Sequence, residues 1–317
     1  METIFYGLKD PLARRLILEE LEKLPSDNFA SVSISFNHDP AFGVPSGDFK
    51  VLILWEPSAV MPWQYRQKSL NLFDLVIPMS VWRANRLGLN QYAFHPYTFD
   101  AYYQSSPFNN RERNIVMINS AKFSSGNKSL YGLRRSVSRM LHENQIDYAL
   151  YGTGWKMSRS MELRKRFVAL KNSLQAGERV SLGELTSDLW YQYPEFHGWV
   201  EDKFEVLSQF KLSLVIENEA DWVTEKVFDS IVAGAVPIYV GPDLSRDFPE
   251  LNDCLVIADS NAESILARIS GLQDSELNEK RNAIQRFLID KSEHGIGFWS
   301  SNNQWTKVAK IIQEKLT

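Results

Sequence analysis

Residues 210–241 constrain this chain more than any other stretch. The apolar run 210–216 reads as a buried strand, a polar loop follows, a short helical pattern is stopped by Gly234, and a second apolar strand ends at Gly241. In open α/β sheets the ligand crevice lies beyond the carboxyl ends of the strands, against helix N-termini. The helix of this unit opens with Thr224, Glu225 and Lys226. A first helical turn offers free N–H groups and partial positive charge, which suits phosphate oxygens. Lys226 adds a full charge. Glu225 has no use for phosphate, but it accepts hydrogen bonds from a sugar diol. A cation beside a diol acceptor points to a nucleotide sugar.

The rest of the chain repeats the alternation. Apolar runs at 50–55, 73–78, 114–119, 146–152 and 254–258 alternate with helical patterns at 129–141, 262–271, 275–290 and 305–316. That pattern implies an α/β fold with parallel sheets. Residues 5–24 mix apolar and charged side chains at helical spacing, and 92–108, rich in aromatics and polar residues, read as a domain junction. The highly charged stretch 157–187 shows too little periodicity for an assignment. A chain of 317 residues holds two domains, each with its own core.

Composition narrows the partners. The net charge is −4 with no basic run, which argues against nucleic acid. No stretch approaches about eighteen apolar residues and no charged-then-apolar leader precedes the first helical pattern, so neither a membrane anchor nor a secretory signal is expected. Cys254 is the lone cysteine and cannot form an internal disulfide, which suggests a reducing, cytoplasmic setting, with peripheral membrane contact left open.

The segment Glu217-Asn218, a short spacer, Trp222-Val-Thr-Glu-Lys226 and then Val-Pro237-Ile-Tyr-Val-Gly241 resembles the signature of the α1,3-fucosyltransferases, in their bacterial form. Members of that family use GDP-fucose and have the GT-B fold, two Rossmann-like domains facing across a cleft. The resemblance implies an acceptor-binding domain at 1–108, a nucleotide-sugar domain at 109–300, and a terminal helix at 301–317 crossing back onto the first. It also implies donor contacts from Arg134, Asn218, Trp222, Glu225 and Lys226. Two departures stand. Trp222 replaces the family's usual Tyr, giving up a phenol that both donates and accepts, and the spacer is shorter.

Glu56, just past the run 50–55 in Trp55-Glu56-Pro57-Ser58, reads on its own as a solvated strand-end carboxylate. The family carries its proposed general base in a similar segment followed by Phe-Asn-Leu-Phe-Asp. Here Leu70-Asn-Leu-Phe-Asp74 follows at comparable spacing, so Glu56 falls on the base by resemblance. A carboxylate in a partly dry cleft has its pKa raised toward the working pH, as a base needs. Arg134 lies two helical turns before Leu141, as in the family, on a helix whose start faces the cleft. A guanidinium there holds two phosphate oxygens and neutralises a departing diphosphate. The plainer reading of Arg134 is a solvated helix face, since Arg135 and Arg139 lie close by and cannot all be functional.

Other residues carry less. His38, His95, His142, His197 and His294 are scattered without zinc-ligand spacing. His95 reads as packing, with an acceptor contact as the alternative. Asp221 reads as a turn or cap residue, and Thr224 as the cap of the helix that follows. Trp55, Trp63, Tyr65 and Trp82 are core before they are a sugar-stacking wall. No Asp-x-Asp occurs, so no metal and no resident cofactor are expected, GDP-fucose being a co-substrate. The implied reaction is inverting transfer of fucose to a hydroxyl of an acceptor glycan, α1,3 to a GlcNAc- or Glc-type sugar of a surface polysaccharide or lipopolysaccharide. The alternatives are the same machinery with another nucleotide sugar, and a catalytically silent glycan- or nucleotide-binding protein.

Overall fold

The computed structural model describes residues 1–24, 29–39, 43–97, 111, 113–124, 126, 128–176, 179–180, 186 and 188–317. Two sheets, parallel throughout, organise them. The first joins β1 (Glu2–Tyr6), β2 (Ser31–Phe36), β3 (Phe49–Leu54) and β4 (Leu75–Pro78) in chain order. The second joins β5 (Arg113–Ile118), β6 (Tyr148–Tyr151), β7 (Phe210–Ile216), β8 (Val236–Val240) and β9 (Val256–Ile257) in the order β6-β5-β7-β8-β9. The central strands bury nearly every side chain, as strands covered on both faces must.

The helices follow as α1 (Pro11–Leu21), α2 (Gln67–Leu70), α3 (Val81–Leu87), α4 (Tyr131–Glu143), α5 (Arg159–Ala176), α6 (Lys203–Leu207), α7 (Glu225–Val232), α8 (Pro249–Asp253), α9 (Ala262–Ser270), α10 (Asp274–Ile289) and α11 (Ser301–Leu316). Residues 5–24 are therefore not one helix. Strand β1 ends at Tyr6, Gly7 turns with φ +75°, and Asp10 caps α1 by accepting from the N–H groups of Leu12 and Ala13 at 2.9 and 3.2 Å. Pro11 at the first helical position suits that start. Strand β2 had no counterpart in the sequence pattern. Most of the unassigned stretch 157–187 is α5, whose buried side holds Arg166 and Ser173 instead of aliphatic residues, which is why no apolar period shows. The expected boundary at 108 falls outside the described residues.

Helix α11 lies along α1. Its Trp305, Val308, Ala309, Ile312 and Leu316 are buried in one cluster with Val32, Ile34, Val51 and Ile53 of the first sheet. The larger of these contribute roughly 1.5–3 kcal/mol each before ordering costs. The chain thus ends by completing the core of the half in which it began.

Candidate active site

Leaving β5, the chain goes to β6 on one side and later returns to β7 on the other, so the winding reverses between β5 and β7. Crevices form at the carboxyl ends of strands at such a reversal. Two cavities open here. One, of about 240 Å³, is lined by Asn119 after β5, Thr153 after β6, and Trp199 and Lys203. Gly152 shapes it: at φ +126° its missing Cβ leaves room for the Asn119 carbonyl, which a Cβ would meet at 2.2 Å. The other, of about 230 Å³, is lined by all six residues singled out above, Glu56, Arg134, Asn218, Trp222, Glu225 and Lys226. Ser120, Glu225 and Lys226 line both, so the cavities meet at the first turn of α7.

Glu217, wholly buried at the end of β7, sets that turn. Its carboxylate accepts from the Thr224 N–H at 2.9 Å and the Thr224 hydroxyl at 2.6 Å. Burial raises its pKa, and Lys226 and Thr224 pull it back down. Thr224 occupies the cap position, but its hydroxyl does not cap the helix. It is drawn to the buried Glu217 instead, which needs donors more than the exposed end of α7 does, and it accepts from Lys226 Nζ at 3.0 Å. Lys226 is thereby held over the helix start, 3.5 Å from the Glu225 carboxylate. Glu225 stands half exposed; burial works to raise its pKa, but Lys226, His95, its own backbone N–H and Lys203 together outweigh burial and bring it down to about 2.

Arg134 is 1 % exposed. Its guanidinium donates to the Ile216 carbonyl from Nε and Nη2 at 3.1 and 2.6 Å, to the Ser120 carbonyl at 3.2 Å and to Asn218 Oδ1 at 2.9 Å. It ties α4 to the loops after β5 and β7 and brings a cation to the cavity edge. Arg135 is equally buried but faces the other way, donating to the Lys122 carbonyl at 2.9 Å and lying over Phe123.

Glu56 comes from the opposite half. Asn37 Oδ1 accepts from the N–H groups of Trp55 and Glu56, both at 3.0 Å. Gln64 and Tyr65 donate to the Glu56 carbonyl at 2.8 and 2.7 Å. The backbone is clamped, while the carboxylate makes no hydrogen bond or ion pair among the described residues. Burial raises its pKa, with Lys122 the main opposing charge. His95 lines the same cavity, its Nε2 2.8 Å from the Trp55 carbonyl. Burial depresses its pKa to about 4. A carbonyl only accepts, so Nε2 carries the proton and Nδ1 is left as an acceptor.

Sequence reasoning missed what joins the halves. Buried Arg83 on α3 pairs with Glu219 and, at 3.0 Å, with Asp221, while Arg86 reaches Asp221 at 2.8 Å. Glu219 also accepts from the Ser58 hydroxyl and the Ala59 N–H, both at 2.5 Å. Asp221 is thus an ion-pair partner, not a cap. Trp222 enters the core of the first half, wholly buried against His95, so it forms cavity wall and presents no open stacking face. Trp199 was also missed; a tryptophan 70 % exposed at a cavity lip is legible only once the loop is placed.

Comparison with known proteins agrees with the architecture. No family model matches the chain. A putative fucosyltransferase-like protein of Arabidopsis thaliana is 50 % identical over 54 residues, which is 16 % of this chain and 10 % of that protein's length. A glycosyltransferase from Rickettsia africae is similar in structure, with a TM-score of 0.51, 11 % identity, and coverage of 98 % of this chain and 83 % of that one. A trehalose-6-phosphate synthase, studied for glycosyl transfer with retention, gives 0.50 at 11 % identity, over 96 % and 78 %. The fold is GT-B.

Proposed function

We propose that this protein is a glycosyltransferase that moves fucose from GDP-fucose to a hydroxyl of an acceptor glycan with inversion, Glu56 acting as the base. The observation that carries the reading is the shared waist of the two cavities. It holds a cation, a diol acceptor and the start of a helix, with an unpartnered carboxylate across from them. A nucleotide sugar has the matching order of parts. The nucleoside fits the cavity beside Trp199, the diphosphate fits Lys226, Arg134 and the α7 N–H groups, and the sugar fits the space toward Glu56. A hollow of about 740 Å³ at the carboxyl ends of β1 and β2, lined by Tyr6, Phe36 and Asn37, suits the acceptor, and Asn37 links it directly to the Glu56 backbone.

In the step itself, the acceptor oxygen bonds the anomeric carbon as the bond to the diphosphate oxygen breaks, and the electron pair leaves with the diphosphate. Glu56 takes the hydroxyl proton, and the fixed cations meet the charge on the leaving group. Fucose as the sugar rests on the resemblance of residues 217–241 and on the fucosyltransferase-like relative. Inversion rests on Glu56 standing across from the cationic waist. Because the fold is shared with an enzyme studied for retention, the anomer of the product, read by NMR, checks it. Thermal shift with GDP, UDP, CMP and their sugars tests the donor: GDP and GDP-fucose should stabilise the protein, increasingly with concentration. A larger shift from UDP-sugars would replace GDP-fucose as donor. With Lys226 and Arg134 in the phosphate role, transfer should survive EDTA with at most a few-fold loss; complete, metal-reversible inactivation would refute that assignment.

A further inference from the structure

Helix α5 is used nowhere in the scheme above, and its surface is unusual. Four of its large apolar side chains stand in water: Met161 at 50 % exposure, Phe167 at 63 %, Val168 at 48 % and Leu174 at 58 %. At about 100° per residue, exposed Arg164 and Lys171 run down the middle of the outer face. Phe167 and Leu174 flank them on one side, Met161 and Val168 on the other. Arg166 lies on the opposite, buried side, where it pairs with Glu162, the helix's one acid, at 2.5 Å. That leaves Arg159, Arg164, Lys165 and Lys171 exposed with no acid on α5 outside that pair. The helix carries a net +4 on a chain whose total is −4. Trp190, 45 % exposed, lies under the Arg159 guanidinium at 5.1 Å and adds an aromatic of the kind that sits at lipid headgroups.

We propose that α5 docks the protein onto an anionic lipid bilayer, lying in the plane of the interface. Cations with apolar side chains on both flanks suit headgroup phosphates and the acyl boundary together. A second copy of this chain is a poor occupant, since a two-fold contact sets this basic face against itself. Nucleic acid satisfies the cations but has no use for four apolar side chains. The placement has a consequence. Met161, Arg164, Lys165 and Val168 line, with Lys122 and Ala59, the hollow between α5 and the loop that follows Glu56. Docking therefore brings the mouth of the cleft to the membrane surface.

Co-sedimentation with phosphatidylcholine vesicles, with and without phosphatidylglycerol, tests this without reference to sugar transfer. Wild-type protein should bind the anionic vesicles and release at high salt. Arg164→Ala with Lys171→Ala should lower the partition about fivefold per cation, about twenty-five-fold in all. Phe167→Ser with Leu174→Ser should lower it at least as far at unchanged charge, with circular dichroism and thermal midpoint reporting an intact fold for both pairs. Lys310→Ala with Lys315→Ala on α11 should change nothing. The proposal is overturned by any of four results: no binding to anionic vesicles, equal binding to neutral ones, loss through the α11 pair instead, or a concentration-dependent dimer that Phe167→Ser with Leu174→Ser dissolves.

Discussion

At the scale of single residues, the proposed base role of Glu56 can be checked through its protonation. Its backbone has three hydrogen-bonding partners, Asn37, Gln64 and Tyr65, and its carboxylate none among the described residues. Burial raises its pKa above the usual 4.5. A raised pKa means that the folded state binds the proton more tightly than the unfolded one, so the linked stability is present below about 4.5 and is lost as pH rises through the folded value. Glu56→Gln should therefore leave stability unchanged or raise it near neutral pH, while transfer falls about 10²–10⁴-fold and GDP affinity stays within a small factor. With the ionised form as the proposed base, the acid limb of kcat/KM should lie above the ordinary carboxylate range and vanish in the residual activity of Glu56→Gln. A variant that still transfers at the wild-type rate removes Glu56 from the role. The two cations should part company in the same assays. Lys226→Ala should weaken GDP by roughly 1.5–3 kcal/mol with little effect on the fold. Arg134→Ala should do both, because three of its four hydrogen bonds go to the Ile216 and Ser120 carbonyls. Calorimetry for GDP and urea titration for stability separate these outcomes.

At the scale of elements, the start of α7 is positioned from β7 through Glu217 and Thr224. Thr224→Val removes the hydroxyl that donates to Glu217 and accepts from Lys226. It should cost about 1–3 kcal/mol of stability, the penalty for leaving a buried acceptor short of a donor, and should weaken GDP as well. Thr224→Ser should restore both, with the urea midpoint as the measure. The unit from β7 to β8 was legible almost to the residue, because a strand buried on both faces, a Gly stop and a second such strand leave one local solution. Strand β1 was misread because its few residues run into the amphipathic α1, and a short strand beside a helix lends its side chains to the helical count. The 157–187 region was opaque for a different reason: α5 buries an arginine and a serine and exposes Phe167, so burial and hydrophobicity run opposite to each other. The six residues that line the second cavity were singled out from local motif and family resemblance. The Arg83–Glu219–Asp221 network was not, since its ion pairs join residues about 140 apart in the chain and no local pattern marks such a contact.

At the scale of the molecule, three of the contacts between the halves bear on the candidate site. Helix α11 fills the first core, and its Trp305 stacks on Trp55 at 5.8 Å, one residue from Glu56. Phe94 of the first half packs edge-on to Phe248 and Trp299 of the second at 5.1 and 5.0 Å. The loop 217–224 sends Glu219, Asp221 and Trp222 across the cleft, where Arg83 gathers both carboxylates and lies 5.8 Å from the Trp222 ring. Contacts this buried should make the two halves unfold in one transition. They should also fix how far Glu56 sits from Lys226, because Glu219 grips Ser58 and Ala59 just beyond Glu56. Arg83→Met keeps the bulk of the side chain and removes the charge. It leaves Glu219 buried without its cation, a change that typically costs 3–5 kcal/mol. The loss should fall on more than stability, since Glu219 ties the loop that carries Glu56 to the loop 217–224. Arg83→Met should thus lower kcat more than it raises the dissociation constant for GDP, although Arg83 lies outside both cavities. Adding Glu219→Gln to Arg83→Met removes the stranded charge and should recover much of the stability but little of the rate. If the double variant recovers both, or if Arg83→Met unfolds in two separate calorimetric transitions with kcat unchanged, the network is a structural staple and does not set the distance across the cleft.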